Sequence, residues 1–445
     1  MRYYADLHIH SHYSRATSPA CTPEGLFRWA QLKGVGVCGT GDCTHPGWLA
    51  ELKEKLAEDA PGLYALKPGL REAAGGDVPD ACRAPVRFAV TGEVSSIYKR
   101  GGKVRKVHSL ILLPSLDAAA RLNARLSQIG NILSDGRPIL GLDPRDLLEL
   151  LLETDPRAAL IPAHIWTPWF SMLGAKSGFD SLEECFGDLA AHVFAVETGL
   201  SSDAPMNRRI RCLDRVALVS NSDLHSPANL GRNANLFFGE PAYDAMLSGL
   251  RTQDPAVCGG TVDLFPEEGK YHLDGHRACR VRLDPAESLA RGNLCPACGR
   301  EVTIGVLHRV VELERQQAGS VPPPRHQGHQ ETPSPSMLGE APCSPCLGGE
   351  LPKPKPSAGL PYRYIVPLPE LLAQQLGVAP SAKKVTAAYA GLLAAAGPEL
   401  PLLLDADSQT VAKLGMIGEA ILKVREGRVV REGGYDGEYG SIRVV

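Results

Sequence analysis

The segment Ala5-Asp6-Leu7-His8-Ile9-His10 decides how this chain is read. Its residues alternate as they do along a β-strand, so His8 and His10 point to one face. Two imidazoles at one strand end can hold one metal ion. Six further segments place a metal-binding side chain in or beside an apolar run. They are Gly41-Asp42-Cys43-Thr44-His45, Val90-Thr91-Gly92-Glu93, Val107-His108-Ser109, Ile161-Pro162-Ala163-His164, Ala195-Val196-Glu197 and Ser220-Asn221-Ser222-Asp223-Leu224-His225. Seven such segments, in order over the first half of the chain, predict a barrel whose strands deliver ligands to a common mouth. A donor set of His, Asp and Glu suits Zn²⁺, Mn²⁺ or Fe ions that activate water, so the expectation is a multi-metal hydrolase.

The remaining ligands follow from local geometry. Asp223-Leu224-His225 is a second one-spaced pair. Asp223 can join His8 and His10, while His225 reaches a neighbouring ion. Arg100-Gly101-Gly102-Lys103 reads as a two-residue hairpin turn. A tight turn there puts residue 95 opposite 108 and residue 93 opposite 110, with Glu93 and His108 diagonal on one face. A carboxylate at 93 can then bridge two ions, with His108 and His164 on the second. Asp42 and His45, one or both, can hold a third ion with His225. Glu197 also ends a strand, where Glu is more often a solvated or hydrogen-bonded carboxylate than a ligand or an acid/base group. His12 and His192 are surface or supporting candidates.

The 445 residues allow two or three domains, and the 44% hydrophobic and 22% charged content is ordinary for a soluble globular protein. The net charge of −3 neither demands nor excludes nucleic acid. No charged leader followed by an apolar stretch opens the sequence, and no long apolar run follows, so a cytoplasmic protein without a membrane span is expected. Twelve cysteines in that setting favour metal ligation over disulfides.

Residues 1–262 alternate short β-rich runs with helical stretches, which argues an α/β fold with mainly parallel strands. Glu24–Lys33, Ala118–Ile129, Pro144–Leu152 and Ser181–Ala190 read as helices, with Asp143 as an N-cap before Pro144. Residues 263–315 form a small zinc-binding unit. His276-x₂-Cys279 and Cys295-x₂-Cys298 are separated by 15 residues, and each x₂ spacing lets one turn present two ligands to a tetrahedral Zn²⁺. His272 competes with His276 as the fourth ligand. Four protein ligands leave no open position, so this site is structural. Residues 316–358 hold ten Pro and five Gly and no aromatic residue, the composition of a disordered linker. Cys343 and Cys346 within it have no partner pair. In residues 359–445, Leu368–Gln375, Ala382–Ala396 and Gln409–Arg425 look helical, and Gly433–Gly440 reads as a turn between two short strands.

These residues carry a resemblance. His8-Ile9-His10, Glu93, His108, His164 and Asp223-Leu224-His225 resemble the motifs of the polymerase and histidinol phosphatase (PHP) superfamily. More closely, the chain resembles the endonuclease Q family. The supporting stretches are Ala5–Ser11, Gly39–Pro46, Thr91–Tyr98, Asn221–Pro227, Phe265–His272, the zinc pairs and Gly434-Tyr435-Asp436-Gly437. The segments Gln316–Ala358 and Leu70–Ala84 depart from it as insertions.

The resemblance implies a distorted (β/α)₇ PHP barrel, then the zinc module and a C-terminal helical domain that binds DNA. It implies a DNA repair endonuclease acting 5′ of uracil, hypoxanthine, xanthine or an abasic site and leaving a 3′-hydroxyl and a 5′-phosphate. Two or three catalytic Zn²⁺, Mn²⁺ or Mg²⁺ ions are expected on His8, His10, Asp42, His45, Glu93, His108, His164, Asp223 and His225. Asp223, Glu93 and His10 are the expected centre of catalysis. Lys99, Arg100, Lys103, Arg105 and Lys106 on the hairpin are candidate phosphate contacts, as is the Arg208, Arg209, Arg211 and Arg215 cluster. Tyr435 and Asp436 are candidates for the base pocket. The expected partners are double- or single-stranded DNA with a damaged base, and replication or repair proteins. The alternative is a PHP-type phosphatase for a small phosphomonoester, which needs neither the zinc module nor the C-terminal unit.

Overall fold

The computed structural model describes residues 1–319 and 359–445. Twelve strands precede the zinc module: β1 (Arg2–Asp6), β2 (Val35–Gly39), β3 (Leu56–Ala60), β4 (Leu63–Leu66), β5 (Arg87–Arg100), β6 (Lys103–Leu113), β7 (Ile139–Leu140), β8 (Ala159–Pro162), β9 (Ala195–Glu197), β10 (Ala217–Val219), β11 (Ala234–Phe238) and β12 (Cys258–Leu264). Helices packed around them make an α/β fold. The ladders are mixed rather than mainly parallel. The β1–β2, β2–β5 and β9–β10 pairs are parallel, while β1–β11, β5–β6, β6–β8 and β11–β12 are antiparallel. The β5–β6 turn is the reason in one case: two residues joining adjacent strands leave no room for a crossover helix.

Gly101 and Gly102 hold φ of 59° and 74°, the left-handed conformations that a two-residue hairpin turn requires. The register follows: Ser95 faces His108 and Glu93 faces Leu110. The β9–β10 pair is linked to the rest by isolated contacts rather than ladders. Ile165 donates to the Glu197 carbonyl at 3.1 Å, and Ile9 bridges Leu224. Continuous ladders therefore do not close a barrel among the described residues. The second of these links still sets the segment after β1 beside the segment after β10, and so His8 and His10 beside Asp223.

The helices begin and end where their caps dictate. Thr22, Ser115 and Asp143 each accept a backbone N–H at the start of Pro23–Lys33, Leu116–Ile129 and Pro144–Thr154. The expected helix over Ser181–Ala190 stops at Phe186, because Gly187 turns left-handed at φ 55°, and a 3₁₀ turn follows. The helix expected over Gln409–Arg425 is two helices, Ser408–Ala412 and Met416–Arg425, with Gly415 at φ 68° between them.

The zinc module carries the hairpin of β13 (Asp274–His276) and β14 (Val281–Leu283). Its following helix, Val306–Gly319, runs past Arg315, so the first four residues assigned to the linker are helical. The rest of that segment, with Cys343 and Cys346, lies outside the described residues.

Chain order does not confine the C-terminal part to a separate helical body. Its strand β15 (Tyr362–Ile365) extends the main sheet, parallel to β12. Glu399 is buried against Lys33 at 2.6 Å and also accepts from Tyr389 and Leu368 N–H. Pro401 packs so near Gly34, itself at φ 75°, that a Cβ there would meet its ring at 2.5 Å. The segment 70–84 contributes the 3₁₀ turn Asp80–Cys82, and the Cys82 thiol reaches the Leu393 carbonyl at 3.7 Å. The last hairpin, β16 (Val429–Glu432) with β17 (Ser441–Val444), lies between this unit and the zinc module. Gln374 holds Ile442 and Val444, while Leu273 donates to the Gly434 carbonyl. Among the described residues no helix is long and apolar enough to cross a membrane.

Candidate metal centre

His8 and His10 follow β1 with ring centroids 5.6 Å apart. Each is oriented by a buried carboxylate behind it. Nδ1 of His8 lies 3.0 and 3.1 Å from the two oxygens of Glu197, and Nδ1 of His10 lies 3.0 Å from Asp42 Oδ1. Such pairing fixes ring and tautomer and leaves the far nitrogen free to hold a metal. Those far nitrogens converge on two carboxylates. His10 Nε2 is 3.1 Å from Asp223 Oδ1 and 3.3 Å from Glu93 Oε2. His8 Nε2 is 3.5 Å from Glu93 Oε2 and 3.8 Å from Asp223 Oδ1.

Glu93 faces a second group with its other oxygen. Oε1 is 2.7 Å from His108 Nδ1 and 3.2 Å from His164 Nε2, and these two nitrogens are 3.3 Å apart. The ligand atoms of His8, His10, Glu93 and Asp223, and those of Glu93, His108 and His164, each fall within 4.8 Å of one another. Two sets sharing one carboxylate can hold two cations bridged by Glu93.

The chemistry of the donor atoms supports this. His8 Nε2 is buried with no hydrogen-bond partner. A buried unpaired nitrogen is costly unless something else satisfies it, and a cation among these carboxylates would do so. Electrostatics agree. Burial pushes the Glu93 carboxyl up, but the Arg137 guanidinium and the His8 and His10 imidazoles beside it hold it well below the usual carboxylate range. Burial holds His108 at about 4, which keeps its imidazole neutral as a ligand must be. Against the same burial, neighbouring carboxylates hold His8 and His10 well above the ordinary imidazole value. A bound cation would take the place of those protons.

Three residues here hold left-handed backbone without being glycine: Asp42 at φ 45°, His164 at 30° and Asp223 at 46°. Each such residue costs about 1–3 kcal/mol and tends to cluster at functional sites.

Several sequence-derived ligands sit elsewhere. Asp42 is committed to His10, to the N–H and hydroxyl of Ser11 and to Ser14, and it lies outside both groups that could hold an ion. His45 is the N-cap of the helix Pro46–Lys55, and its Nε2 pairs with the Leu133 carbonyl at 3.0 Å, so both ring nitrogens are engaged. The His225 ring lies 4.5 Å from that of His10, tilted by 46°, but its Nδ1 faces the Asp223 backbone, and it joins neither ligand group. The three do not assemble a third site among the described residues. Glu197 is the partner of His8 and also accepts from His164 N–H and Asn221. His12 pairs with Glu51 at 3.4 Å, and His192 is exposed.

Sequence reading missed Arg137. Its guanidinium donates to Glu93 Oε2 at 2.9 Å and remains partly exposed at the mouth. Gly136 before it leaves space for Asp42, because a Cβ there would meet Asp42 Oδ2 at 2.3 Å. Nothing in the Gly136-Arg137-Pro138 spacing marks it as a site residue.

The basic candidates divide. Lys99 and Lys103 are exposed at the hairpin tip, and Lys106 lies 5.1 Å over the Phe170 ring. Arg100 and Arg105 are used internally. Both stack on Phe179; Arg100 holds Asp143 and the Cys185 carbonyl, and Arg105 holds the Gly178 carbonyl and Glu184. Arg208, Arg209 and Arg215 are likewise tied to carbonyls or carboxylates, while the Arg211 side chain is exposed.

His276, Cys279, Cys295 and Cys298 converge as a four-ligand set, with Nδ1 of His276 3.4 Å from Cys298 Sγ. His272 is buried outside it, so the geometry selects His276. Tyr435 and Asp436 lie against this module. Tyr435 packs against Gly275 and bridges Leu273, and Asp436 accepts from Arg277 N–H and Thr303, each at 2.6 Å.

A family model described as the MJ0043 C-terminal domain matches residues 367–428. The uncharacterized protein YqxK of Bacillus subtilis is 30% identical over 339 residues, covering 73% of this chain and 80% of YqxK. The uncharacterized protein MJ0043 of Methanocaldococcus jannaschii is 28% identical over 286 residues, which is 62% of this chain and 31% of that protein. The lesion-specific endonuclease PfuEndoQ of Pyrococcus furiosus superposes with a TM-score of 0.78 at 28% identity, covering 100% of this chain and 96% of PfuEndoQ. An endonuclease Q bound to a 27-mer duplex with an abasic lesion at its active site gives 0.77 at 28% identity, covering 100% of this chain and 97% of that one.

The mixed sheet and the carboxylate-bridged histidine groups at its strand ends define a metal-dependent hydrolase of the PHP type. Within that class the chain belongs to the endonuclease Q family, and it shares a family with YqxK over most of both lengths.

Proposed function

We propose that this protein is a DNA repair endonuclease that hydrolyses the phosphodiester 5′ of a deaminated base or an abasic site. The observation that carries the reading is Glu93, whose two oxygens face two histidine groups, within a fold that matches PfuEndoQ along its whole length. Bound divalent ions at such a pair supply activated water and neutralise charge on the phosphate and the leaving oxygen. His8, His10, Glu93 and Asp223 would hold the first, and Glu93, His108 and His164 the second. Zinc, manganese and magnesium are the candidates, and His276, Cys279, Cys295 and Cys298 would hold a structural zinc.

The chain's own residues do the rest. Glu197 and Asp42 keep the Nε2 atoms of His8 and His10 aimed inward. Arg137 adds a fixed positive charge at the mouth, suited to a phosphate oxygen. Lys99 and Lys103 offer backbone contacts to a duplex without sequence readout. Extruding a base from the stack costs least at a damaged or missing base, which favours lesions. The products would carry a 3′-hydroxyl and a 5′-phosphate.

The test uses labelled duplexes with one uracil, hypoxanthine, xanthine, abasic or undamaged position, incubated with Mg²⁺, Mn²⁺ or Zn²⁺. Nicking immediately 5′ of the lesion, with the undamaged strand spared, is expected. Equal cutting of undamaged DNA, or hydrolysis of small phosphomonoesters alone, would overturn it.

A further inference from the structure

We propose that Arg309 is a positioning residue that transmits the order of the zinc module to the second metal group. This rests on the assignment of His108 and His164 as metal ligands made above.

Both histidines are set by one loop. Ser171 donates its hydroxyl to the His164 carbonyl at 2.6 Å and lies 3.2 Å from His164 Nδ1. The Phe170 carbonyl accepts from His108 N–H at 3.0 Å, and the Phe170 ring packs 4.9 Å from the His108 ring. The loop is strained where it does this: Phe170 holds φ 64° and His164 φ 30°. Non-glycine residues persist there only when the surroundings over-determine them. Something outside the loop must therefore hold its shape.

Arg309 does so. Its Nε donates to the Leu173 carbonyl at 3.1 Å, and another guanidinium nitrogen donates to the Phe179 carbonyl at 3.2 Å and meets Asp180. Its third nitrogen holds Glu312 at 2.7 Å, and the side chain is only 8% exposed. Its planar fork can satisfy several fixed acceptors at once, which a lysine cannot.

Arg309 stands in the first turn of the helix Val306–Gly319, and the start of that helix is pinned by the zinc module. Asp274 accepts from Gly305 N–H at 2.6 Å and faces His308 Nδ1 at 2.5 Å. Asp274 lies on β13, the same short strand as the zinc-ligand candidate His276. The backbone of β13 thus leads from His276 to Asp274, Asp274 holds Gly305 and His308, Arg309 follows in the same helix turn with its N–H on the Gly305 carbonyl, and its guanidinium holds the loop that sets the two histidines. The module would be part of the catalytic apparatus through this brace, and not only a folding unit.

The experiment is Arg309→Gln in the full-length protein, read by amide hydrogen exchange and by Mn²⁺ titration. Faster exchange over residues 165–180 is expected, with one Mn²⁺ weakened about tenfold or more, as for other lost supports of a metal ligand. The first Mn²⁺ and the module's zinc should be unchanged. Unaltered exchange in the loop, or two Mn²⁺ affinities equal to those of the parent protein, would overturn the proposal. If Arg309→Gln does not fold, Arg309→Lys keeps the charge but not the fork and is read in the same way. A parent protein that binds two ions but cuts no lesion DNA refutes the functional reading alone, because neither measurement here uses catalysis. A parent protein with no second ion refutes the ligand assignment and this proposal together.

Discussion

Asp42 lies 3.0 Å from His10 on the side of the ring away from Glu93 and Asp223. The two residues therefore differ in role although both ride on strand ends. The prediction is graded. His10→Ala should abolish cleavage and remove one ion while leaving the fold intact. Asp42→Asn should weaken that ion by about 10–100-fold without removing its site. Metal titration with circular dichroism as a fold check decides this. Equal loss in both variants would show that Asp42 is itself a ligand.

Glu93 is the residue whose loss should be felt in both groups. Glu93→Ala should lower the stoichiometry or affinity of two ions, and His108→Ala that of one. Inductively coupled plasma mass spectrometry after equilibrium dialysis provides the count. Loss of a single ion from Glu93→Ala would refute the bridge.

The zinc module predicts its own dependence. Cys295 is buried in the four-ligand set, and its ligand geometry and the folding of the module should be coupled. Cys295→Ser should release zinc to a chromogenic chelator and lower the thermal midpoint. Retention of full zinc and full stability would remove the assignment.

Lys33 and Glu399 test the attachment of the C-terminal unit. Both are nearly fully buried, at 4% and 3% side-chain exposure. Glu399→Leu leaves the Lys33 ammonium and the Leu368 N–H without their acceptor. Breaking one side of a buried pair costs about 3–5 kcal/mol. Urea denaturation should show a loss of that order, and a change below about 1 kcal/mol would mean that water reaches Lys33.

Asp263 gives a pH signature. Burial pushes its carboxyl up from 3.8 to about 7, although Thr261 donates to it at 2.7 Å. Between those two values the folded state binds a proton that the unfolded state has lost. This contribution to stability is full below about pH 4 and declines as the pH rises through 7. Asp263→Asn should flatten that decline in denaturation measured from pH 4 to 8. A slope identical to the parent protein's would show that Asp263 ionises normally in the fold.

Much of the site's skeleton was legible in the sequence because it depends on short-range periodicity. His8 and His10 share a face through a period of two. The Gly101-Gly102 turn dictates the register that sets Glu93 near His108, and the x₂ spacings bring His276, Cys279, Cys295 and Cys298 within reach of one another. Motif likeness supplied the family. What was not legible is which member of a nearby set turns inward. Asp42, His45 and His225 occupy strand-end segments like those of the candidate ligands, yet one carboxylate faces His10, one imidazole caps a helix and the third lies tilted against His10 outside both groups.

The sequence by itself determined the strand-end segments, the hairpin and the zinc knuckles, since a few consecutive residues and the fixed geometry of the backbone suffice for each. Only the tertiary structure decided that Glu197 orients His8, that Arg137 reaches Glu93 and that Arg309 braces the loop beside His164. Those pairings join residues 189, 44 and, for Arg309 and Leu173, 136 positions apart. No local rule relates such distant residues. They meet because separate strands and helices bury their apolar faces against one another, and the polar groups carried into that interior must then find partners among whatever lies beside them.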